Sequence, residues 1–223
     1  MRTFLLTLTV LLAGSCAWAG TLLSTNSVPN ASGVQIVTFP TGPFAQTHSA
    51  AAGFTTPNGA SYTLDNIVVH LGSDGNPTLP LSALLYVDLG GNPGGAPVAD
   101  LSASVALPNS SNLSFTLTPQ APYVLNPSTT YWLVLNVVVP GESRNVIWAA
   151  TSDANPYSGI FTYAGARSTN ATGLPATPVT TSLLFTVDGT LVDTGNNVPE
   201  PATSLLLALA LPVIAWRRAR VQP

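Results

Sequence analysis

Between residues 20 and 192 no stretch places apolar residues every 3.6 positions over a polar face, and that constrains the fold more than anything else in the chain. What recurs instead is a short apolar or alternating run, one about every ten to fifteen residues, fenced by Pro, Gly and Asn. The candidate strands are 34–39, 51–55, 62–71, 82–87, 98–105, 112–117, 130–139, 145–150, 159–163 and 182–187. In the run 130–139, Tyr131, Leu133, Leu135, Val137 and Val139 share one face, and Trp132, Val134, Asn136 and Val138 share the other. A strand apolar on nearly both faces belongs inside a sheet, with its second face covered by another layer or a loop. Such strands, joined by turns such as Gly72-Ser73-Asp74-Gly75-Asn76-Pro77, predict an all-β chain: a two-sheet β-sandwich, jelly-roll-like. Parallel βαβ units are excluded, because the crossover helices are missing.

Charge narrows the partners. Lysine is absent, and the body carries eight acids (Asp65, Asp74, Asp88, Asp100, Glu142, Asp153, Asp188 and Asp193) against Arg144 and Arg167, a net charge near −6. Such a surface repels phosphate backbones, so nucleic acid is excluded as a partner. Low charge combined with 46% hydrophobic residues is the opposite of a disordered composition, and solubility must rest on Ser, Thr and Asn.

The first residues read as an export signal. Arg2 supplies a positive start, residues 4–13 an apolar core, and Ala17-Trp18-Ala19 the small residues that signal peptidase reads, with cleavage expected after Ala19. Cys16 raises a lipoprotein alternative, but Ala13-Gly14-Ser15-Cys16 lacks the large aliphatic residue three positions before the cysteine. Cleavage after Ala19 removes the chain's one cysteine, so the exported body must be held by its core alone.

The other end carries a second targeting element. Val198-Pro199-Glu200-Pro201 is followed by the apolar run 205–216 and by Arg217, Arg218 and Arg220. Twelve apolar residues make about 18 Å of helix, against a hydrocarbon core of about 30 Å. Extended to 203–216 the segment is a minimal transmembrane helix, and the three arginines behind it fit a cytoplasmic stop. These three parts, in this order, closely resemble the PEP-CTERM protein-sorting signal. That resemblance implies a Gram-negative bacterium that makes exopolysaccharide and a transient inner-membrane stage. It also implies cleavage near Pro199-Glu200-Pro201 by an exosortase, a membrane cysteine protease, and delivery to the cell surface or extracellular matrix. The expected organisation is a signal peptide over 1–19, an ectodomain over 20–192, a polar linker over 193–197 and the sorting signal over 198–223.

A second resemblance covers roughly residues 45–150. Ala83-Leu84-Leu85-Tyr86-Val87-Asp88, the Gly90-Gly91-Asn92-Pro93-Gly94 turn, and Leu125-Asn126-Pro127-Ser128-Thr129-Thr130-Tyr131-Trp132-Leu133-Val134-Leu135 look like a choice-of-anchor domain. The family implies a β-sandwich at the surface or in the matrix. It offers no catalytic residues to carry over.

Residues able to do chemistry are few. His48 and His70 are the only histidines, and no Gly-x-Ser-x-Gly elbow occurs. Eight acids scattered mostly in turns give few of the carboxyl pairs, about 5–9 Å apart, that a glycosidase uses. Asp74, Asn76 and Asp88 are calcium candidates, since calcium takes six to eight oxygens in flexible geometry. Turns favour Asp and Asn in any case, and no metal or other cofactor is expected. Among the aromatics, Trp132 and Trp148 lie inside apolar strands and suit the core, whereas Tyr157, just after Asn155-Pro156, suits a glycan contact. Together these features predict a non-enzymatic exported protein, handled by signal peptidase and an exosortase and associated with exopolysaccharide or biofilm. The alternatives are a carbohydrate-binding module and, behind it, a secreted hydrolase.

Overall fold

The computed structural model describes residues 19–25, 33–38, 48–73, 76–107, 110–137, 144–153, 156–169 and 174–192. The leader before Ala19, including Ala17, lies outside the described residues. So do Asp74, the linker 193–197, the motif Val198 to Pro201, the segment 203–216, and Arg217, Arg218 and Arg220.

Among the described residues sixteen strands follow one another: β1 (Ala19–Thr25), β2 (Gly33–Thr38), β3 (Ser49–Thr55), β4 (Tyr62–Ser73), β5 (Asn76–Asp88), β6 (Pro93–Asp100), β7 (Ala103–Leu107), β8 (Ser110–Leu117), β9 (Val124–Leu125), β10 (Thr130–Val137), β11 (Arg144–Thr151), β12 (Tyr157–Gly159), β13 (Thr162–Thr169), β14 (Thr177–Val179), β15 (Ser182–Leu183) and β16 (Phe185–Leu191). They form two antiparallel sheets. The first runs β12-β1-β16-β4-β11-β15, with β8 and β9 also on β4 and β2 on β11; the second runs β14-β13-β3-β10-β5-β6, with β7 on β5.

The apolar alternation sets which side of each sheet is buried. On β10, Tyr131, Leu133 and Leu135 enter the same core as Ile67, Val69 and Leu71 of β4 and Val187 of β16. The sheets therefore share one interior, and aromatic rings join them. Phe54 of β3 stacks on Phe161 at 5.7 Å between centroids and meets Tyr131 at 5.8 Å and Phe185 of β16 at 6.4 Å. Trp148 of β11 is fully buried against Phe185, and its indole N–H donates to the Leu184 carbonyl. The opposite face of β10 is also covered: Trp132 and Val134 form a second buried cluster with Ala51 and Tyr86. β10 thus takes the inner place, between β3 and β5, that its two apolar faces require.

Several strands differ from the sequence-based expectation for local reasons. The single run expected over 98–105 is broken into β6 and β7, because Asp100 accepts a hydrogen bond from the Ser102 N–H at 2.7 Å and turns the chain. The last strand continues past Val187 to Leu191, across a register shift between Asp188 and Gly189. β1 was not expected. It pairs with β16 in the middle of the first sheet, Ala19 opposite Thr190 and Gly20 opposite Gly189.

Beside β1, the edge strand β12 closes at Gly159. Its φ is +132°, and a Cβ there would lie 2.3 Å from the Leu22 carbonyl oxygen. An alanine at this position meets both backbone strain and a backbone collision. Gly159→Ala should cost about 2 kcal/mol or more, a fall in Tm of roughly 4–8 °C for a domain of this size. Gly20→Ala, with nothing within 4 Å of the added carbon, should leave Tm nearly unchanged. Equal thermal midpoints for the two variants would contradict this packing of β12 on β1.

Candidate functional site

Among the described residues, chemistry-bearing side chains gather in three places. The first is a cleft of about 410 Å³ between the edge strand β6 and the chain leading from β8 to β9, lined by Val98, Ala99, Asp100, Gln120, Ala121, Pro122 and Tyr123. The Gln120 N–H donates to the Asp100 carbonyl at 2.8 Å, which brings the two exposed polar side chains to one rim. Hydrogen bonds from the Ser102 hydroxyl and backbone N–H hold the Asp100 carboxyl below the usual carboxylate range, so it remains an acceptor in mildly acidic water. Tyr123 is half-buried, set edge-to-face against Tyr131 at 6.1 Å, and burial raises its phenol. A fixed ring beside an ionised carboxylate and a primary amide is an apolar floor with a few polar groups at its edge.

The second cleft, about 340 Å³, lies on the opposite side of the sandwich, where β12 and β13 face each other. Tyr157 and Tyr163 stack there at 4.1 Å between centroids. The Tyr157 hydroxyl donates to the Leu183 carbonyl, and the buried Tyr163 hydroxyl has no hydrogen bond of good geometry. Ser158, Thr162 and Ser182 supply hydroxyls to the same walls.

The third assembly covers the outer face of the second sheet. Trp132 lies over Gly53, where an added Cβ would come within 2.9 Å of the indole ring. Arg167 of β13 crosses that ring, its guanidinium carbon 4.9 Å from the ring centroid. It donates to the Gly91 carbonyl at 2.7 and 3.1 Å and to the Asn92 side-chain oxygen at 3.0 Å. Asp88 completes the clamp, accepting from the Trp132 indole N–H at 2.7 Å and from the Gly91 N–H at 3.0 Å. Cation–π contact of this kind stabilises by roughly 0.5–2 kcal/mol.

These positions reassign several candidates. Both Asp88 oxygens accept hydrogen bonds from the protein itself. Asn76 opens β5 and Asp88 closes it, so the two stand at opposite ends of a thirteen-residue strand, about 40 Å at 3.3 Å per residue. They are not brought to one ligand shell. Among the described residues no three His, Cys, Asp or Glu side chains gather as a metal site. Tyr157 is turned inward, its ring against Tyr163 and its hydroxyl on Leu183, rather than offered as a platform. His70 sits 3.2 Å from the Ser114 hydroxyl, and burial lowers its pKa. Ala19 is the first residue of β1, so cleavage after it leaves Gly20 paired in the sheet. Sequence reasoning missed Asp100, Gln120 and Arg167 as partners, because each is joined to its neighbours only by the fold.

No family model and no curated protein matches the chain. Among solved structures, the cysteine protease and lectin-like domains of a surface layer associated protein of Clostridium difficile are similar over 74% of this chain, with 11% identity and a TM-score of 0.43. The match spans 37% of that chain.

The tyrosine pair makes a test of the second cleft. Burial raises both phenols, and for Tyr157 the neighbouring Tyr163 adds to the rise. A phenol held above its unfolded value of about 10 contributes stability that is complete below that pH and is lost as pH climbs past it. Tyrosinate absorbance from Tyr157 and Tyr163, assigned with Tyr157→Phe and Tyr163→Phe, should therefore appear together with loss of the far-ultraviolet β signal. Ionisation of either near pH 10 in a folded chain would contradict the burial.

Proposed function

We propose that this chain is a non-enzymatic, exported surface or matrix protein. On this reading signal peptidase removes the leader after Ala19, and residues 203–216 hold the chain transiently in the inner membrane. An exosortase then releases it near Pro199-Glu200-Pro201, and the body stays with extracellular polysaccharide. One observation carries the proposal: Val198-Pro199-Glu200-Pro201, the apolar run 205–216 and Arg217, Arg218 and Arg220 follow in that order behind an all-β body. The sandwich is read as jelly-roll-like because β3, β4 and β5 fall in alternate sheets, as do β9, β10 and β11.

A second, narrower reading is favoured by the Asp100–Gln120–Tyr123 cleft: the body is a carbohydrate-binding module. A sugar presents C–H groups to a ring and hydroxyls to a carboxylate and an amide, which is the pairing this rim offers. The Tyr157 cleft offers no comparable ring face, since its two tyrosines cover each other.

One fractionation of producing cells into inner membrane, matrix polysaccharide and medium tests both. The wild-type body, tagged internally, should be found shortened in the matrix. Glu200→Ala should accumulate at full length in the inner membrane, and its release at normal rate and size would sink the sorting proposal. Gln120→Ala with Tyr123→Leu should be shortened normally but shift from the matrix to the medium, several-fold enriched there. If that double variant remains in the matrix, the cleft is not the sugar contact.

A further inference from the structure

The register of the strands puts the chain's entry and exit together. Ala19 pairs with Thr190, and Leu191 pairs with Tyr62, so β1 begins and β16 ends at the same end of the first sheet. In the second sheet the matching row is Tyr163, Phe54, Tyr131 and Val87, each opposite the next. Phe161 ties the two sheets together here, touching Tyr62 and Phe54.

The four large apolar side chains exposed among the described residues all belong to this end. Leu89, 71% exposed, follows β5 just beyond the row; Ile160, 54%, links β12 to β13; Leu191, 48%, closes β16; and Val124, 43%, stands opposite Thr63. The neighbouring turns, residues 56–61, 89–92 and 126–129, contain no Asp, Glu, Lys or Arg. Of the nearest acids, Asp65 accepts a hydrogen bond from Thr190, Asp88 is engaged by Trp132 and Gly91, and Asp188 is half-buried opposite Asn66. These turns are also fixed in place. The buried Thr56 hydroxyl donates to the Asn126 carbonyl at 2.6 Å and accepts from the Thr129 N–H at 2.9 Å, and the Asn126 N–H donates to the Tyr131 hydroxyl.

We infer that this end of the body is a membrane-facing surface, which rests Leu89, Ile160 and Leu191 in the headgroup layer of a lipid bilayer while the chain is still anchored. The inference rests on the reading of the tail as a membrane anchor. The chain leaves the body at this end, after Leu191, and the apolar run begins at Leu205, a connection of thirteen residues. Extended, that connection spans at most about 45 Å, which limits how far the point of departure can lie from the bilayer. Exposed aliphatic side chains on a rigid rim are what an interface of lipid headgroups and acyl chains accepts; the charges at the 89–92 turn, Arg167 and Asp88, are engaged by Gly91, Asn92 and Trp132, whereas the acids elsewhere on the body are repelled by anionic lipid. Cleavage of the tail would then leave a contact too small to hold the body by itself, which suits release.

The test uses the full chain in vesicles of phosphatidylethanolamine and phosphatidylglycerol, with Cys16→Ser and one reporter cysteine carrying an environment-sensitive dye. The reporters are Leu89→Cys and Ile160→Cys at this end, and Ser104→Cys as the distant control. Ser104 is exposed opposite Pro80, eight residues along β5 from Asp88 and about 26 Å away. The expected result is a several-fold brighter, blue-shifted emission at Leu89 and Ile160 on floated vesicles, with no change at Ser104. Floated chains whose reporters at Leu89 and Ile160 stay as in water would overturn the inference and leave the anchor standing. A chain that does not float overturns the anchor and the inference together. The same blue shift without lipid, growing with protein concentration, would assign this end to a second copy of the chain instead and equally overturn it.

Discussion

Phe54 reaches from β3 of one sheet to Phe185 on β16 of the other, and the rings of Tyr131, Phe161, Trp148 and Tyr157 fill in around that contact. It lies within the apolar core that joins the sheets, where Leu133 and Leu135 of one sheet share an interior with Ile67, Val69, Leu71 and Val187 of the other. Export with cleavage after Ala19 would leave no cysteine for a disulfide, and with so few charges ion pairs add little. Cohesion comes from apolar area removed from water, at about 25 cal/mol per Å². The small residues of β3, Ala50, Ala51, Ala52 and Gly53, matter for the same reason: they let large neighbours on either face approach the sheet closely.

The strand content of the fold was legible because alternation is a local property. The run from Tyr131 to Leu135 announced an inner strand with two apolar faces, and β10 is one. β1 was not legible, since Thr21-Leu22-Leu23 is short and its pairing with β16 lies more than 160 residues away. The break between β6 and β7 depends on the bond from Ser102 to Asp100, a polar detail that an apolar pattern does not show. At the candidate sites the limit was similar. Asp88 was noticed as a calcium candidate in a turn, but its engagement with Trp132 follows from residues 44 positions apart meeting in space. Tyr157 was read as exposed because it follows a turn, and the stacking on Tyr163 that turns it inward joins strands of different sheets.

The geometry gives the body separate surfaces. The end with Leu89, Ile160 and Leu191 is apolar and holds the chain's entry and exit, the β6 side carries the polar-rimmed cleft at Tyr123, and the β12 side is closed by paired tyrosines. The division leaves the proposed membrane contact and the proposed sugar contact on different parts of the body, so each is open to substitution without touching the other. The clamp of Arg167 over Trp132 belongs to the fold's own cohesion: it engages the Arg167 guanidinium and the Asp88 carboxylate in covering an indole ring.

The central claim is that one aromatic core makes the two sheets a single cooperative unit. Native-state hydrogen exchange on residues 20–192 measures this most directly, comparing amides of β3 and β10 with those of β4 and β16, in the wild type and in Phe54→Ala. The account predicts a common opening free energy for the four strands, lowered everywhere by about 3–5 kcal/mol in the variant. Loss of protection confined to β3 and β10, with β4 and β16 unchanged, would contradict it.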